Sequence, residues 1–159
     1  MVTSKNKPSI TRSKIEGIVR IPYNINQVEK ENIEGSSELV YEYNELKVKD
    51  EKHDLSDVNY WKTYVLNALN QDLQTYLYTK YDVGTQISFQ AIETRADTPQ
   101  AVKDGLAALF TWISGVMEYY YTKKINIRDG EDWESVTWDF TTFNATDPNI
   151  SLEALMGPQ

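Results

Sequence analysis

Apolar residues recur every three or four positions in two long stretches, and this spacing predicts two amphipathic helices at residues 58–80 and 98–124. The first stripe is Trp61, Val65, Ala68, Leu69, Leu73, Tyr76 and Leu77; the second is Val102, Leu106, Leu109, Phe110, Ile113, Val116, Met117 and Tyr120. Ser56 or Asp57 is expected to cap the first helix and Thr98 the second, with Pro99 at its first position. A compact link predicts antiparallel packing, each helix burying its stripe on the other.

The link between these helices is predicted to contain a short helix at residues 85–95. Gly84 is interpreted as the stop of the preceding helix and Thr85 as the new cap. The side chains expected to point inward are Ile87, Ala91 and Ile92, with Phe89 as a fourth, weaker member.

Before the helices, apolar and polar residues alternate with the period of two that predicts β-strands. One strand is expected at residues 15–25, where Pro22 ends it or places it at a sheet edge, and another at residues 39–49. The polar residues 24–37 between them predict a loop. The two strands would form an antiparallel hairpin that is marginal alone and needs a helix or a neighbouring chain to cover it.

The two ends of the chain are predicted to be interface segments. Residues 1–14 contain four cations and no acid, which is typical of a solvated terminus or of an arm that docks on an acidic neighbour; these cations are Lys5, Lys7, Arg12 and Lys14. Residues 126–134 are an acidic connector, and after it Val136, Trp138 and Phe140 alternate as three large anchors of a strand or an extended strap. This segment either folds onto the chain's own helices or binds an adjacent subunit, and we expect the second. With Trp133, these side chains complete the predicted interface. Deletion of residues 1–14 is therefore expected to spare the fold and impair assembly.

The predicted fold class is α+β, in four parts. These are a basic N-terminal arm (1–14), a β-hairpin region (15–50), a helical core domain (57–125) and a C-terminal strap (126–159).

Charge and composition narrow the possible partners. The net charge is −8, and outside the basic arm 24 acids stand against 12 bases, so the body repels phosphate backbones and nucleic-acid binding is not expected. No cysteine is present, which excludes disulfides and thiolate metal sites. Neither a signal-peptide pattern nor a run of about 18 apolar residues occurs, so we expect synthesis in a cytoplasm and no membrane partner.

No catalytic, cofactor-binding or metal-binding residues are predicted. The seven glycines are scattered, and no phosphate-binding or nucleophile-elbow motif occurs. His53 is the only histidine and is expected to be a solvated surface residue of a charged linker. Two acidic clusters lack the spacing of a calcium loop; they are Asp50, Glu51 and Asp54, and Asp129, Glu131, Asp132 and Glu134. The chain is therefore not expected to be an enzyme; an acid-based hydrolase is the last alternative.

The order of parts resembles small tail-associated proteins of tailed phages and prophages, encoded near tail-fibre and baseplate genes. The resemblance covers residues 57–124 and is carried by LQTYLYTKYDVGTQISF and by ADTPQAVKDGLAALFTWISGVMEYYY, which includes Trp112. It implies a virion structural or adaptor protein of a tail tip, baseplate or neck. Such a protein would be made in the host cytoplasm, present in several copies, and bound to other tail proteins.

Two other functions remain open at this point. One is a tail-fibre assembly chaperone that is absent from the finished particle. The other is a carbohydrate- or receptor-binding module in which Trp133, Trp138 and Tyr119–Tyr121 act as stacking platforms. Exposed rings would favour the binding module, and buried rings would remove it.

Overall fold

The computed structural model describes residues 1–31 and 36–156, a mixed α/β chain with about half of its residues in helices and one curled antiparallel sheet of four strands. This agrees with the predicted class. The strands are β1 (Val2–Ser4), β2 (Thr11–Ser13), β3 (Ile18–Glu31) and β4 (Ser37–Lys49). The helices are α1 (Val58–Leu73), α2 (Val83–Glu93), α3 (Gln100–Asp129) and α4 (Leu152–Met156), with a π-helical turn at Gln74–Tyr78 and 3-10 helices at Trp133–Ser135 and Phe140–Thr146.

The chain divides into two compact units. The sheet unit contains Met1–Leu69 and Thr122–Trp138, and the helical unit contains Asn70–Tyr121 and Asp139–Gln159. The boundary therefore falls inside α1 and inside α3.

The sheet has the order β1-β4-β3-β2, so the predicted arm supplies both outer strands. β1 pairs with β4 at Tyr41–Tyr43 alone, and β2 pairs with β3 at Ile18–Arg20 alone. Residues 1–14 are thus part of a sheet and not a free arm. The sequence prediction failed because strands of three residues are too short to show an alternating pattern.

β3 starts three residues later and ends six residues later than predicted, and it continues past Pro22 to Glu31. Pro22 lies just beyond the last pair with β2, where the outer side of β3 is an edge and a missing N–H is tolerated. The pairing with β4 shifts between Tyr23 and Asn26, where Asn24 has a φ of 52°. Residues 26–31 and Ser37 were assigned to a loop and are strand; the rest of that predicted loop includes residues 32–35, which lie outside the described residues.

Large side chains from the strands and from the ends of α1 and α3 are buried in the sheet unit. They are Val19, Ile21, Ile25, Trp61, Val65, Leu69, Ile127, Trp133 and Trp138. Val19 and Ile21 stand opposite Val48 and Leu46 in the β3–β4 pairing, so one face of the sheet is apolar. Lys62 is also buried because its Nζ donates to the carbonyls of Arg128 and Gly130, at 2.9 and 3.2 Å, and so satisfies the end of α3.

The long helices lie close to their predicted positions, with different ends. Asp57 caps α1 as predicted, since its Oδ1 accepts from the Tyr60 N–H at 3.2 Å. α3 continues five residues past the predicted end, to Asp129. Thr98 does not have the predicted capping contact; its hydroxyl donates to the Ile92 carbonyl at 2.5 Å.

α2 is rotated relative to the prediction. Its cap is Asp82, whose Oδ1 accepts from the Thr85 N–H at 2.7 Å, and Gly84 lies in the first turn. Phe89 is fully buried, whereas Ile87 is 60% exposed. Ala91 is exposed as well, so two of the four residues predicted to face inward face outward.

The helical unit buries most of the predicted stripes. Its buried side chains are Leu73, Leu77, Tyr81, Phe89, Leu106, Leu109, Trp112, Ile113, Val116, Tyr120 and Phe140. Phe110 and Met117 are half-buried, less than expected. A Cβ on Gly105 would meet Ile150 Cδ1 at 3.5 Å and one on Gly115 would meet Phe143 Cε1 at 3.8 Å, so the neighbour of these glycines is the C-terminal segment and not the other long helix.

Candidate functional site

The four cations predicted to bind a neighbour have different surroundings in the sheet unit. Lys5 Nζ lies 2.7 Å from Glu38 Oε1, and Lys7 Nζ lies 3.6 Å from Asp132 and 3.8 Å from Glu134. Lys14 is exposed and forms no ion pair with any residue in the described part of the chain. Lys5 and Lys7 thus meet acidic residues of their own chain; their contact with a neighbouring subunit stays a prediction.

Arg12 holds the linker between β4 and α1. Its Nη2 donates to the His53 carbonyl at 2.6 Å, and its Nε lies 2.8 Å from Asp50 Oδ2, in an ion pair without hydrogen-bond alignment. His53 itself is not the solvated residue that the sequence predicted: its ring is half-buried and stacks on Tyr60 with centroids 3.7 Å apart. The sequence did not reveal this contact because Arg12 lies 41 residues away from His53 along the chain.

Hydrogen bonds at this linker shift the pKa of several groups. Donation from His53 Nε2, and then from the Tyr60 N–H, lowers the pKa of Asp57. The hydrogen bond between the Tyr60 and Tyr64 hydroxyls, 3.2 Å apart, is the main cause that raises the pKa of Tyr60 to about 12. Both shifts favour the protonation states that Asp57 and Tyr60 have at neutral pH, so they stabilise structure and do not indicate an acid–base pair.

The four predicted apolar anchors are less accessible than expected. Trp133 is 3% exposed and Trp138 is 8% exposed, and Trp138 stacks on Tyr23 with centroids 5.2 Å apart in the sheet unit. Phe140 is 4% exposed and contacts the rings of Tyr76 and Tyr119 in the helical unit. Val136 is half-buried. The alternation of residues 136–140 does not form a strand; Val136 and Asp139 are extended and 3-10 helices flank them.

One part of the sheet keeps a free strand edge, and we call it the outer ribbon: residues 26–31 of β3 paired with residues 37–42 of β4, beyond the shift in register. Among residues 1–31 and 36–156, no strand pairs with the other side of β3 after Arg20. Five of the six β3 residues in the ribbon are exposed, and Val28 is half-buried. A strand edge offers unpaired N–H and C=O groups and is a template for another strand.

The outer ribbon has an apolar cross-strand pair in its middle and charged side chains on either side of that pair. Lys30 Nζ lies 2.7 Å from Glu42 Oε1, while Val28 stands directly opposite Val40. Leu39, on the other face, is 59% exposed. β1 pairs with this ribbon at Tyr41 and Glu42 alone, and two strands by themselves are marginal in water, so the rest of the ribbon would gain stability from a further strand.

A second surface with exposed apolar side chains lies on α2 in the helical unit. Val83 and Ile87 are 61% and 60% exposed, and Ala91 continues their row at the same spacing. Ala91 also lines an open cavity of about 490 Å³ whose other walls include Arg95, Val102 and Leu155.

A polar network in the helical unit surrounds Asp147, whose side chain is 7% exposed. It accepts from Lys80 Nζ, from the Tyr81 hydroxyl at 3.0 Å and from the Asn149 N–H at 2.8 Å. The Tyr81 hydroxyl in turn accepts from the Ile150 N–H at 3.1 Å. This network links the C-terminal segment to Lys80 and Tyr81.

Within the described residues, no three His, Asp or Glu side chains come together in a way that could hold a metal ion. The helices in the same ranges include none with the length and apolarity to cross a membrane.

Sequence reasoning missed the β3 half of the outer ribbon, because Val28 is the only apolar residue among residues 26–31 and no alternation is visible there. The sequence did contain the signal for Asp82, an N-cap residue three positions before Thr85. Comparison with known proteins does not extend these observations: no protein-family model, curated protein or solved structure matches this chain.

Proposed function

We propose that this protein is a structural adaptor of a phage tail that holds neighbouring subunits together and is present in several copies in the virion. The observation that carries the proposal is the outer ribbon, with a six-residue strand edge that no described strand covers. The resemblance of residues 57–124 to tail-associated proteins supplies the biological setting.

The ribbon supports an adaptor role because its free strand edge can form backbone hydrogen bonds with a strand of another subunit. Strand addition gives one neighbour a series of backbone hydrogen bonds and places alternate side chains on defined faces. The N-terminal strands support the same role, since β1 and β2 close each outer side of the sheet over three residues only.

We propose that α1 and α3 pack antiparallel and so supply the helical core of such an adaptor. Lys62, near the start of α1, donates to carbonyls at the end of α3. Tyr76, after the end of α1, has its ring 6.1 Å from that of Trp112 in the middle of α3. These contacts run in opposite directions along the two helices, as antiparallel packing requires.

The second candidate is a tail-fibre assembly chaperone, which the same free edge would serve during assembly. A carbohydrate-binding module receives less support, because Trp133 and Trp138 are buried and only Tyr121 among the three tyrosines is strongly exposed. We do not propose an enzyme, since the resemblance brings no catalytic residues.

The experiment is a quantitative comparison of the protein in particles and in lysate. Phage particles would be purified from the bacterium that encodes the chain, and peptides of this protein would be measured by mass spectrometry against those of the major tail protein. The matched control is the lysate before purification, measured for the same peptides.

A fixed, multi-copy ratio to the tail protein in purified particles is the result expected of a structural adaptor. Abundance in the lysate with loss from the particles would replace the adaptor with the chaperone. Absence from both during particle production would overturn the phage setting.

A further inference from the structure

We infer that two copies of this chain pair through the outer ribbon, β3 against β3, antiparallel about a two-fold axis at Val28. This inference rests on the proposed multi-copy role and specifies one contact between the copies. The pairing would join two ribbons into one four-stranded antiparallel sheet.

The backbone argument starts from the free edge of residues 26–31. In an antiparallel strand, alternate residues direct their N–H and C=O groups to the same side, so this edge presents unpaired donors and acceptors together. A second copy of the same strand, rotated by 180°, presents the complementary groups. Such a contact is isologous and closes after two subunits, so it does not generate fibres.

The side chains select the register. Val28 is the only apolar residue among residues 26–31, so among pairings confined to this range only an axis at Val28 places it opposite another apolar side chain, Val28 of the second copy. Because Val28 already stands opposite Val40, the dimer would contain a row of four valines across four adjacent strands. Cross-strand pairs of β-branched side chains stabilise sheets in this way.

The charges agree with the same register. An axis at Val28 places Lys30 opposite Asn26 and Glu29 opposite Gln27, each pair occurring twice and none with like charges. An axis at Glu29 would oppose two glutamates, and an axis at Lys30 would oppose two lysines. Axes between residues 28 and 29, or 29 and 30, would oppose Val28 to Glu29 or Glu31.

Cysteine cross-linking tests the pairing directly, because the natural chain has no cysteine. Val28→Cys, at the axis, would be oxidised under mild conditions and run on a non-reducing gel. Asn67→Cys, at an exposed position on α1, is the matched control for random collision. Circular dichroism of the reduced proteins checks that both variants are folded.

The register has its own test in a mixture of two variants. Gln27→Cys and Glu29→Cys lie opposite each other in the proposed dimer, so the mixture should cross-link several-fold more than either variant alone. Equal cross-linking of the mixture and the single variants would overturn the axis at Val28.

The expected result for Val28→Cys is a covalent dimer formed several-fold faster than with Asn67→Cys. Equal rates for the two folded variants would overturn β3–β3 pairing. If the dimer fails but the protein is present in purified particles, the proposed function still stands. If the dimer forms but the protein is absent from particles, the pairing stands and the proposed function is wrong.

Discussion

At the scale of single residues, the polar contacts of Asp147 show how the last part of the chain is held. Burial acts to raise the pKa of this carboxyl, but donation from Lys80, the Asn149 N–H and the Tyr81 hydroxyl lowers it overall. Burial, and then the hydrogen bond to Asp147, raise the pKa of Tyr81 to about 12. The pair therefore favours a charged Asp147 and a neutral Tyr81 in the folded state.

We predict that Asp147→Asn lowers the free energy of unfolding by about 1–3 kcal/mol at pH 7, because it weakens several charge-assisted hydrogen bonds. Denaturant titration would measure the loss. Asp97→Asn is the matched control: Asp97 is exposed and has no ion pair in residues 1–31 and 36–156, so its change should lie within about 0.5 kcal/mol.

The same variant gives a prediction for pH. Since the folded-state pKa of Asp147 is depressed, its stabilisation is fully present above the unfolded value of about 3.9 and disappears as pH falls through the folded value. The stability difference between the natural protein and Asp147→Asn should thus be constant from pH 7 to about pH 5 and shrink below it. A difference that grows on acidification would contradict the assignment.

At the scale of elements, the apolar periodicity of the sequence predicted which faces of the two long helices are buried. The stripes of the two long helices placed Leu69, Leu73 and Leu109 correctly, because a buried face repeats every three to four residues. The same rule failed in α2, where Ile87 points outward and Phe89 inward. A helix of eleven residues has few turns, and a single aromatic side chain then decides which face is buried.

The strands show the other limit of the sequence. The predicted end of β3 fell at residue 25 because the following residues are polar, yet the strand continues for six more residues. Strand pairing depends on backbone groups, so it needs no alternation where both faces are exposed. The left-handed Asn24 and the shift in register also depend on how β3 pairs with β4, and the predicted hairpin did not specify that register.

A capping experiment tests the corrected start of α2. We predict that Asp82→Ala costs about 0.5–2 kcal/mol, because Asp82 Oδ1 accepts the Thr85 N–H. Thr85→Ala, at the cap that the sequence predicted, should cost less. Thermal or denaturant unfolding of both variants decides whether Asp82 or Thr85 caps α2. A larger loss of stability for Thr85→Ala than for Asp82→Ala would support the cap predicted from the sequence.

At the scale of the whole molecule, the N-terminal residues acquire a different role from the one predicted. Because residues 1–14 contain two strands of the sheet and the Arg12 contacts to Asp50 and His53, their deletion should no longer spare the sheet unit. The anchors Trp138 and Phe140 likewise serve the chain itself. The outer ribbon and the exposed row on α2 remain accessible to a neighbour, and we propose that the ribbon is the surface that pairs with a second copy.

The most direct test of that claim is the mass of the natural protein in solution, measured by sedimentation equilibrium over a range of concentrations. We predict a reversible dimer with twice the 18.4 kDa of one chain. Gln27→Glu would place two like-charge pairs in the interface and raise the dissociation constant about 2- to 30-fold. Gln71→Glu, the same change at an exposed position on α1, should leave it unaltered. A single species of 18.4 kDa at every concentration would contradict the account.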